Sequence, residues 1–303
     1  MDSRFESVKC NLCGADDFDV LYKAKPPEAR SVSSGNYAAA SFHILEDQVV
    51  RCRQCGLVYI NPRPKSETIV KGYSDAVDEA YVSQFEGRYA TFRQCLKEIE
   101  KACPRKGRVL DVGCAAGIFL KAAKDSGWET AGVEPSRWLA EWGNNKFGVN
   151  IKPGTLEQAH FPDSYFDVVT LWDVLEHVPD PAATLREINR ILKPGGVIAV
   201  NYPNIGSNLA RAFGRKWWFL LSVHLYYFVP KTIRALLEKE GFSMLLHKRH
   251  FQRLQVGYLV SRVRPYSKLV FNVLNPLVNA LRLAGTNVPY YASQSLVLAR
   301  KKN

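Results

Sequence analysis

Apolar residues follow two different periods along this chain, and the period changes near residue 107. In residues 65–105, apolar side chains recur at steps of three and four: Phe85, Tyr89, Phe92, Leu96, Ile99 and Cys103. This spacing puts them on one face of an amphipathic helix, which Pro104 and Gly107 are expected to end. Residues 65–105 are therefore predicted to be a helical linker or cap.

From Arg108 onward, short apolar runs alternate with helical patterns. Strands are predicted at residues 109–112, 130–133, 149–151, 166–171, 197–201, 242–251 and 293–300. Helices are predicted to begin near Ile118, Arg137, Asp180 and Pro230. Because strands that alternate with helices form a parallel sheet covered on both faces, the predicted fold class is α/β. The sheet is expected to be doubly wound and Rossmann-like.

Two Cys-x-x-Cys-Gly units precede this region, one at Cys10 and Cys13 and the other at Cys52 and Cys55. In each, the glycine permits a tight turn that points backbone amides at the sulfurs. Four thiolates form a closed tetrahedral site for structural zinc, and the 38-residue spacer costs little because loop-closure entropy grows only logarithmically. Residues 1–64 are therefore predicted to be a zinc-ribbon-like module. A vestigial site and redox-active thiols are the alternatives.

The composition is that of a globular protein: 303 residues, 47% hydrophobic and 23% charged. This length suffices for one large domain with an attachment, or for two domains. No apolar run reaches the ~18 residues of a membrane-spanning helix, and the N-terminal residues lack the apolar core of a signal peptide. The protein is therefore expected to be cytoplasmic. The other cysteines are expected to be buried small side chains: Cys95, Cys103 and Cys114.

Charge is distributed unevenly along the chain. Residues 201–303 contain 16 Lys and Arg but 2 acidic residues, whereas the first 200 residues contain 25 basic and 27 acidic ones. No acidic residue follows Glu240. A basic C-terminal region suggests a polyanionic partner, which is an anionic membrane surface, a nucleic acid or a phosphorylated substrate. A solvated cationic surface without a partner is the alternative.

Residues 253–290 are predicted to form an insertion between the last two strands. Polar residues there recur at steps of four and three, which is a narrow stripe on a helix: Lys268, Asn272, Asn275, Asn279 and Arg282. The apolar remainder is wider than a surface helix needs, and Pro276 is expected to kink or split the helix. One interpretation is a peripheral helix that docks an apolar face on an anionic membrane. That face would contain Phe271, Leu274, Val278 and Leu281. The other interpretation is burial on the protein's own domain or in a dimer interface.

Small residues follow the first strand of the α/β region, from Gly113 to Gly117. They allow the backbone to approach a ligand at the carboxyl end of a parallel strand. A dinucleotide fingerprint would also require glycines at positions occupied by Ala115 and Ile118. Glu134 ends the second predicted strand, where a carboxylate can accept hydrogen bonds from both hydroxyls of a ribose. The pattern predicts a site for a nucleoside without a diphosphate.

These residues and several later motifs resemble a class I S-adenosylmethionine (SAM)-dependent methyltransferase. The matching segments follow the family's order within residues 107–203: Leu110–Gly117, Gly132–Ser136, Phe161–Val169, Asp173–Val178 and Ile191–Gly196. The cysteine pairs, with Asn61-Pro62-Arg63-Pro64 after the second pair, resemble the zinc-binding module that precedes some bacterial methyltransferases. Modules of this kind often accompany sugar and natural-product methyltransferases. The resemblance covers nearly the whole chain except about residues 253–290. It implies a methyltransferase domain over residues 106–303.

The resemblance also implies which residues contact SAM. They belong to the glycine turn and to the neighbouring strand ends: Asp111, Gly113, Cys114, Ala115, Gly117, Glu134, Pro135, Thr155, Leu156, Trp172 and Asp173. Ala115 replaces a common glycine, which is tolerable if its φ is negative. Thr155 stands where an aspartate often meets the adenine amino group. That contact is therefore expected to be weaker or to come from the backbone.

Two histidines are the candidates for acid–base chemistry. Methyl transfer from a sulfonium depends mainly on positioning, but a hydroxyl acceptor also needs a base. His177 follows the fourth predicted strand, and His224 lies in the connection after the fifth. For both, a structural role is the alternative. Asp173, Glu176 and His177 also resemble the divalent-metal ligands of quinone-pathway O-methyltransferases, and carboxylate and imidazole groups can bind such an ion.

Three functions are compared. The leading one is an enzyme that methylates a small-molecule, glycan or lipid-linked acceptor. The second is an RNA or protein methyltransferase that holds the polymer with its basic C-terminal region, an interpretation supported by the aromatic and basic side chains of Arg215–Phe219. The third is a SAM-binding scaffold without activity, which the intact pocket motifs argue against.

Overall fold

The computed structural model describes residues 4–25 and 45–302. Residues 1–3 and 26–44 of the predicted N-terminal module lie outside this description. In chain order, the strands are β1 (Phe5–Glu6), β2 (Phe18–Tyr22), β3 (Val49–Cys52), β4 (Val58–Ile60), β5 (Arg63–Pro64), β6 (Arg108–Val112), β7 (Glu129–Glu134), β8 (Ile151–Pro153), β9 (Phe166–Trp172), β10 (Leu192–Pro203), β11 (Tyr226–Tyr227), β12 (Phe242–Gln255) and β13 (Asn287–Lys301).

The helices cover both faces of the largest sheet. In chain order they are α1 (Ser66–Ser74), α2 (Glu79–Val82), α3 (Phe85–Ala102), α4 (Ile118–Asp125), α5 (Arg137–Phe147), α6 (Pro181–Ile191), α7 (Asn208–Phe213), α8 (Pro230–Lys239), α9 (Val256–Ser261) and α10 (Lys268–Ala280). Local chemistry explains where several of them begin. The Asp180 side chain accepts a hydrogen bond from Ala183 N at 2.9 Å at the start of α6, as an N-cap does.

The central sheet has seven strands in the order β12-β13-β10-β9-β6-β7-β8. The five strands from β10 to β8 in this order run parallel, and β13 is antiparallel to both β10 and β12. The prediction of an α/β fold is confirmed, and the predicted parallel sheet is mostly parallel, with β13 as the antiparallel exception. Since the carboxyl ends of β6, β7, β9 and β10 lie at one edge, the loops after these strands meet there.

Alternating side chains of the central strands form two apolar cores. On β6, Leu110 belongs to a buried cluster with Leu185 of α6 and Ile233 of α8. Its neighbour Val109 belongs to a second buried cluster with Phe119 of α4. The amphipathic helix predicted from Phe85 onward is α3, which contributes to the second cluster.

The N-terminal residues are joined to the rest of the chain by β pairing. The four-stranded sheet has the order β11-β4-β3-β2, and β11 comes from the connection between β10 and α8, where Tyr226 is opposite Tyr59. Arg63 Nη1 donates a hydrogen bond to Tyr226 Oη at 2.8 Å. Cys10 and Leu57 belong to the same buried cluster as Leu110. The cysteine-bearing segment and the α/β region therefore share one core.

Two helices, α9 and α10, lie between β12 and β13. Pro276 lies inside α10 and does not split it. Of the face predicted to dock on a membrane, Phe271, Leu274 and Val278 are half-buried and only Leu281 is exposed. The predicted face is therefore wrong. Within residues 4–25 and 45–302, no helix is long and apolar enough to cross a membrane.

Candidate functional site

The glycine turn follows β6 at the carboxyl edge of the central sheet. Gly113 has a φ of 63°, and a Cβ there would come within 2.7 Å of Val174 Cγ2. Both the conformation and the available space therefore require glycine. Cys114 N donates a hydrogen bond to Val133 O at 3.1 Å, which fixes the turn against β7.

Ala115 does not adopt the negative φ at which alanine would replace glycine without strain. Its φ is +47°, in the left-handed region that costs a non-glycine residue roughly 1–2 kcal/mol. In this conformation the Ala115 amide donates a hydrogen bond to Glu134 Oε2 at 2.8 Å. The condition of a negative φ is therefore not met, and the turn directs this amide at the carboxylate that ends β7.

Glu134 ends β7 and is 6% exposed. Its Oε2 accepts from Ala115 N, and its Oε1 accepts from Ser136 N at 2.8 Å. Burial raises the pKa of Glu134 to about 7, although the two amide hydrogen bonds oppose the rise. Each carboxylate oxygen retains acceptor capacity. Glu134 is therefore equipped to accept hydrogen bonds from two ligand hydroxyls.

One cavity of ≈ 1130 Å³ lies at this edge of the sheet. Its wall includes all but one of the residues predicted to contact the cofactor: Asp111, Gly113, Cys114, Ala115, Glu134, Pro135, Thr155, Leu156, Trp172 and Asp173. The remaining residue, Gly117, begins α4, where a Cβ would approach Ile151 Cδ1 at 2.8 Å. The cavity is larger than the roughly 300–1,000 Å³ typical of ligand pockets, so it has room for two ligands.

Asp173, directly after β9, belongs to a network of amide side chains. Its Oδ1 accepts from Asn201 Nδ2 at 2.8 Å and from Gln294 Nε2 at 2.5 Å, and Gln252 Nε2 lies 3.4 Å from its Oδ2. Burial raises the pKa of Asp173 to about 6, while the positive charge of Arg88 opposes the rise. The carboxylate is therefore held by neutral donors, and Arg88 is the nearby cation.

Trp172 forms the adjoining part of the wall. Its ring contacts Phe92 and Phe119, with centroids 5.4 and 5.2 Å away, and stacks with His250 at 6.3 Å. The buried indole Nε1 has no hydrogen-bond partner among the described residues. This part of the cavity is therefore aromatic with one unpaired donor.

His177 and His224 lie together on the cavity wall, with ring centroids 4.6 Å apart. His177 Nδ1 is 3.0 Å from Val223 O, and His224 Nδ1 is 2.8 Å from Phe219 O. Since a carbonyl oxygen can only accept, Nδ1 carries the proton in His224, and its Nε2 is left as an unprotonated base. His177 Nδ1 also lies 2.7 Å from the hydroxyl oxygen of Tyr73, which can donate or accept. Burial lowers the pKa of His177 to about 4 and that of His224 well below its usual value. Both rings are therefore neutral at physiological pH.

Glu176 completes this cluster. Neither oxygen of its buried carboxyl group has a hydrogen-bond partner on another described residue, and burial raises its pKa well above the usual range. Ligand atoms of Glu176, His177 and His224 lie within 4.8 Å of one another. The resemblance groups Asp173 with Glu176 and His177. In the structure His224 takes the place of Asp173 in this group, and Asp173 belongs to the amide network.

The four N-terminal cysteines form a separate cluster. The Sγ atoms of Cys10 and Cys55 are 3.4 Å apart, and those of Cys13 and Cys52 are 3.5 Å apart. All four lie within 4.8 Å of one another. In a tetrahedron with Zn–S bonds of about 2.3 Å, sulfurs are about 3.8 Å apart, so the cluster fits a zinc ion.

Comparison with known proteins identifies the α/β region. A family model described as a methyltransferase domain matches residues 85–247, which is just over half of the chain. The chain belongs to the methyltransferase domain family. SAM is the cofactor of this family, and the predicted class I methyltransferase fold and enzyme class are confirmed.

Curated relatives of this methyltransferase match over part of their length. A ubiquinone biosynthesis O-methyltransferase of Proteus mirabilis is 34% identical over 134 residues, which is 41% of this chain and 51% of the relative. An uncharacterised methyltransferase of Schizosaccharomyces pombe is 30% identical over 142 residues, or 42% of this chain and 50% of the relative. The chain thus spans about half the length of the curated relatives it matches.

Solved structures support the fold. A SAM-dependent methyltransferase of Archaeoglobus fulgidus superposes with a TM-score of 0.51 at 21% identity, covering 74% of this chain and all of the other. The YcgJ protein of Bacillus subtilis gives a TM-score of 0.51 at 19% identity, covering 71% of this chain and 99% of the other. At these identities the likeness concerns the fold alone.

Several cavity residues of the methyltransferase were not predicted from the sequence. Arg88 stands on the cavity wall with its guanidinium 4.1 Å from the centroid of the Tyr81 ring. Its position was detectable, because it lies three residues after Phe85 and four before Phe92, on the apolar face of α3. Gln252 and Gln294 had no such signal, because β12 and β13 bring them to Asp173 by strand pairing.

Proposed function

We propose that the protein transfers the methyl group of SAM to a small-molecule acceptor that must lose a proton. One observation carries the proposal: the glycine turn, Glu134 and two neutral imidazoles line the same cavity. The cavity is large enough for a cofactor and an acceptor together. Proximity of this kind supplies much of the rate of a two-substrate reaction.

On the cofactor side, Glu134 would hold the ribose. Its oxygens each accept one backbone amide and can each accept one ligand hydroxyl, which would favour the ionised form and lower its pKa from about 7. Gly113 leaves backbone free to approach the methionine part, and Thr155 and Leu156 border the adenine. SAM supplies a methyl group already activated by its sulfonium.

On the acceptor side, His224 would act as the general base. The acceptor atom forms the new bond to the methyl carbon, the carbon–sulfur bond breaks, and its electron pair remains on sulfur. The acceptor proton passes to His224 Nε2, which is free because Nδ1 faces Phe219 O. His177 is the second candidate base, or it positions His224 through the hydrogen bond to Val223 O.

Glu176 would balance the charge that this proton transfer creates. An imidazolium in a buried site needs a counter-charge, and the unpaired carboxyl group of Glu176 lies within reach of both rings. One carboxylate and two imidazoles are also a donor set for a divalent metal ion. Metal analysis of the purified protein distinguishes the two roles.

We further propose that residues 1–64 are a structural zinc module attached to a cap of residues 65–105 and a methyltransferase domain of residues 106–303. The sulfur separations support the zinc assignment, and backbone amides of Gln54 and Cys55 donate to Cys52 Sγ, as in a zinc knuckle. The module also contacts the catalytic region. Asn11 Nδ2 donates to Asp180 Oδ1 at 2.7 Å, next to the loop that bears His177.

A small organic acceptor is favoured over a polymer. The relative from Proteus mirabilis is named for ubiquinone biosynthesis, and the cavity wall here is rich in aromatic side chains, including Trp172, Tyr258 and Tyr290. In the segment considered for RNA binding, Trp217 is 2% exposed and donates to Ser293 Oγ at 2.9 Å. It is therefore unable to stack on a nucleotide base.

The test is methyl transfer from SAM with a tritiated methyl group to fractionated cell extract. The label is expected in a small-molecule or lipid fraction and is expected to be absent when His224→Ala protein is used. Label confined to RNA or protein would contradict the proposed acceptor class. Failure of calorimetry to detect SAM binding would contradict the proposed cofactor site.

A further inference from the structure

Helix α10 exposes a continuous apolar stripe to solvent. Its members recur at four-residue steps, so they lie along one side of the helix: Leu269, Val273, Leu277 and Leu281, which are 75, 59, 52 and 58% exposed. No residue of α10 is buried. Soluble surfaces seldom present large apolar side chains in such a contiguous row. The stripe therefore indicates a surface that binds a partner.

The charges around this stripe indicate which partner it is. Arg264 and Lys268 at the start of α10 and Arg282 at its end are exposed, and the chain has no acidic residue after Glu240. A second copy of the chain would bring these cations against their equivalents in a symmetric interface. An anionic lipid surface is complementary both to the cations and to the apolar row.

The length of α10 is also informative. Thirteen residues give about 20 Å of helix, which is too short to cross a bilayer of about 30 Å. An apolar side with flanking cations is the pattern of a helix that lies in the plane of the membrane interface.

The neighbouring helix α9 connects this surface to the active-site cavity. Tyr258 and Leu259 of α9, together with Val263 and Tyr266 after it, line the cavity. Backbone hydrogen bonds from Gly257 N to Ala284 O at 2.9 Å and from Val256 N to Thr286 O at 3.0 Å close the base of the two-helix insertion. One side of the insertion therefore walls the cavity, and α10 lies outside it.

We propose that α10 docks in the headgroup region of an anionic lipid bilayer, with Leu269, Val273, Leu277 and Leu281 immersed and the flanking cations on lipid phosphates. Docking brings the cavity wall formed by α9 to the membrane surface, where an acceptor with an apolar chain enters. The docking itself does not depend on the proposed methyl transfer, whereas the entry of an acceptor rests on it.

Liposome flotation of the full chain tests the proposal. Wild-type protein is expected to float with phosphatidylcholine vesicles that contain phosphatidylglycerol, not with phosphatidylcholine alone, and to be released by salt because screening weakens the attraction. Leu269→Ser with Leu277→Ser is expected to lose at least about tenfold in lipid affinity, since the apolar burial is removed. Val77→Ser, at a residue that is 55% exposed elsewhere, is the matched control.

The charge contribution has its own variants. Lys268→Gln with Arg282→Gln is expected to abolish flotation at moderate salt, whereas Lys97→Gln with Lys146→Gln removes the same charge from exposed positions outside the insertion and is expected to leave flotation intact. All variants are expected to keep wild-type melting temperatures and SAM affinity. If wild-type protein floats with anionic vesicles but does not bind SAM, the proposed function is refuted and the docking proposal stands.

Three results overturn the docking proposal. The first is wild-type protein that stays unbound with anionic vesicles at low salt. The second is a Leu269 and Leu277 variant that floats like the wild type. The third is a wild-type dimer in analytical ultracentrifugation that the leucine substitutions dissociate without any lipid binding, which would assign the stripe to a second copy of the chain.

Discussion

The imidazole rings of His177 and His224 meet edge to face, with centroids 4.6 Å apart. His224 directs Nδ1 at the carbonyl oxygen of Phe219, and His177 Nδ1 lies near both Val223 O and the hydroxyl oxygen of Tyr73. A buried pair of neutral bases has no evident packing advantage over apolar residues, because its ring nitrogens are costly to desolvate. The arrangement therefore favours a chemical role.

Replacement of His224 tests that role. We expect His224→Ala to lower turnover by about 10²–10⁴-fold, the range for loss of a general base, with SAM affinity unchanged. Initial rates and calorimetry measure the two quantities. His160→Ala, at an exposed histidine outside the cavity, is the control. A parallel loss of SAM binding and turnover would identify His224 as a structural residue instead.

Replacement of Glu134 tests the cofactor side. Glu134→Ala is expected to weaken SAM binding by roughly 2–3 kcal/mol, because hydrogen bonds to a charged group are lost. Glu129→Ala, at an exposed residue of the same strand β7, is the matched control. Thermal melting is needed as well, since the substitution also leaves the amides of Ala115 and Ser136 without their acceptor. Unchanged SAM affinity in a folded variant would refute the assignment.

The sequence predicted the central fold because periodicity and glycine placement are local signals. Strands β6, β7, β9 and β10 each follow from an apolar run, and Glu134 follows from its place at the end of one. The sign of φ at Ala115 could not be predicted from the sequence, because the Ala115 amide is held by a carboxylate nineteen residues away.

Features that depend on contacts between distant parts of the chain could not be predicted from the sequence. The grouping of Glu176 with His224 depends on the path of the connection after β10, where Leu225 N donates to Glu176 O at 2.8 Å. The exposed side of α10 was assigned to the wrong residues because the narrow polar stripe leaves a wide apolar arc, and the sequence does not show which part of that arc packs. In the structure α10 contacts α9, and Phe271 and Leu274 are half-buried.

The pH dependence of stability provides a test of the buried histidines. Burial lowers the pKa of His250 to about 4, against about 6.5 in an unfolded chain. The unfolded state therefore binds a proton first as pH falls, and His250 makes the protein less stable between pH about 6.5 and 4. Lowering the pH from 7 to 5 decreases the free energy of unfolding of the wild type through His250. In His250→Phe this decrease is expected to be smaller by about 2 kcal/mol.

The pH dependence of the free energy of unfolding must be compared between wild type and variant. Carboxyl groups with raised pKa values change this free energy in the opposite direction to His250. The pKa values of Glu134 and Asp173 are raised to about 7 and about 6, so these groups bind protons more tightly when folded and stabilise the protein as pH falls. Denaturant titrations at the two pH values give the difference. Identical pH dependence in the two proteins would mean that His250 is protonated in the folded state.

The last prediction concerns the four-cysteine cluster. Purified protein is expected to contain one zinc ion per chain, apart from any metal at Glu176, and Cys10→Ser or Cys55→Ser is expected to lose it, because a closed structural site needs all four ligands. Cys103→Ser, at a half-buried cysteine outside the cluster, is expected to retain the metal. Stoichiometric zinc that persists in both cluster variants would refute the assignment.

Loss of the metal is expected to lower the stability of the whole chain rather than of residues 1–64 alone. Strand β4 pairs with β11, Lys239 Nζ donates to Leu12 O at 2.8 Å, and Cys10 and Cys52 belong to the same buried cluster as Tyr226 and Leu237. Because metal binding contributes directly to folding free energy, Cys10→Ser should shift a single cooperative melting transition downward in calorimetry. Two separate transitions, with SAM binding retained between them, would mean that the module unfolds independently.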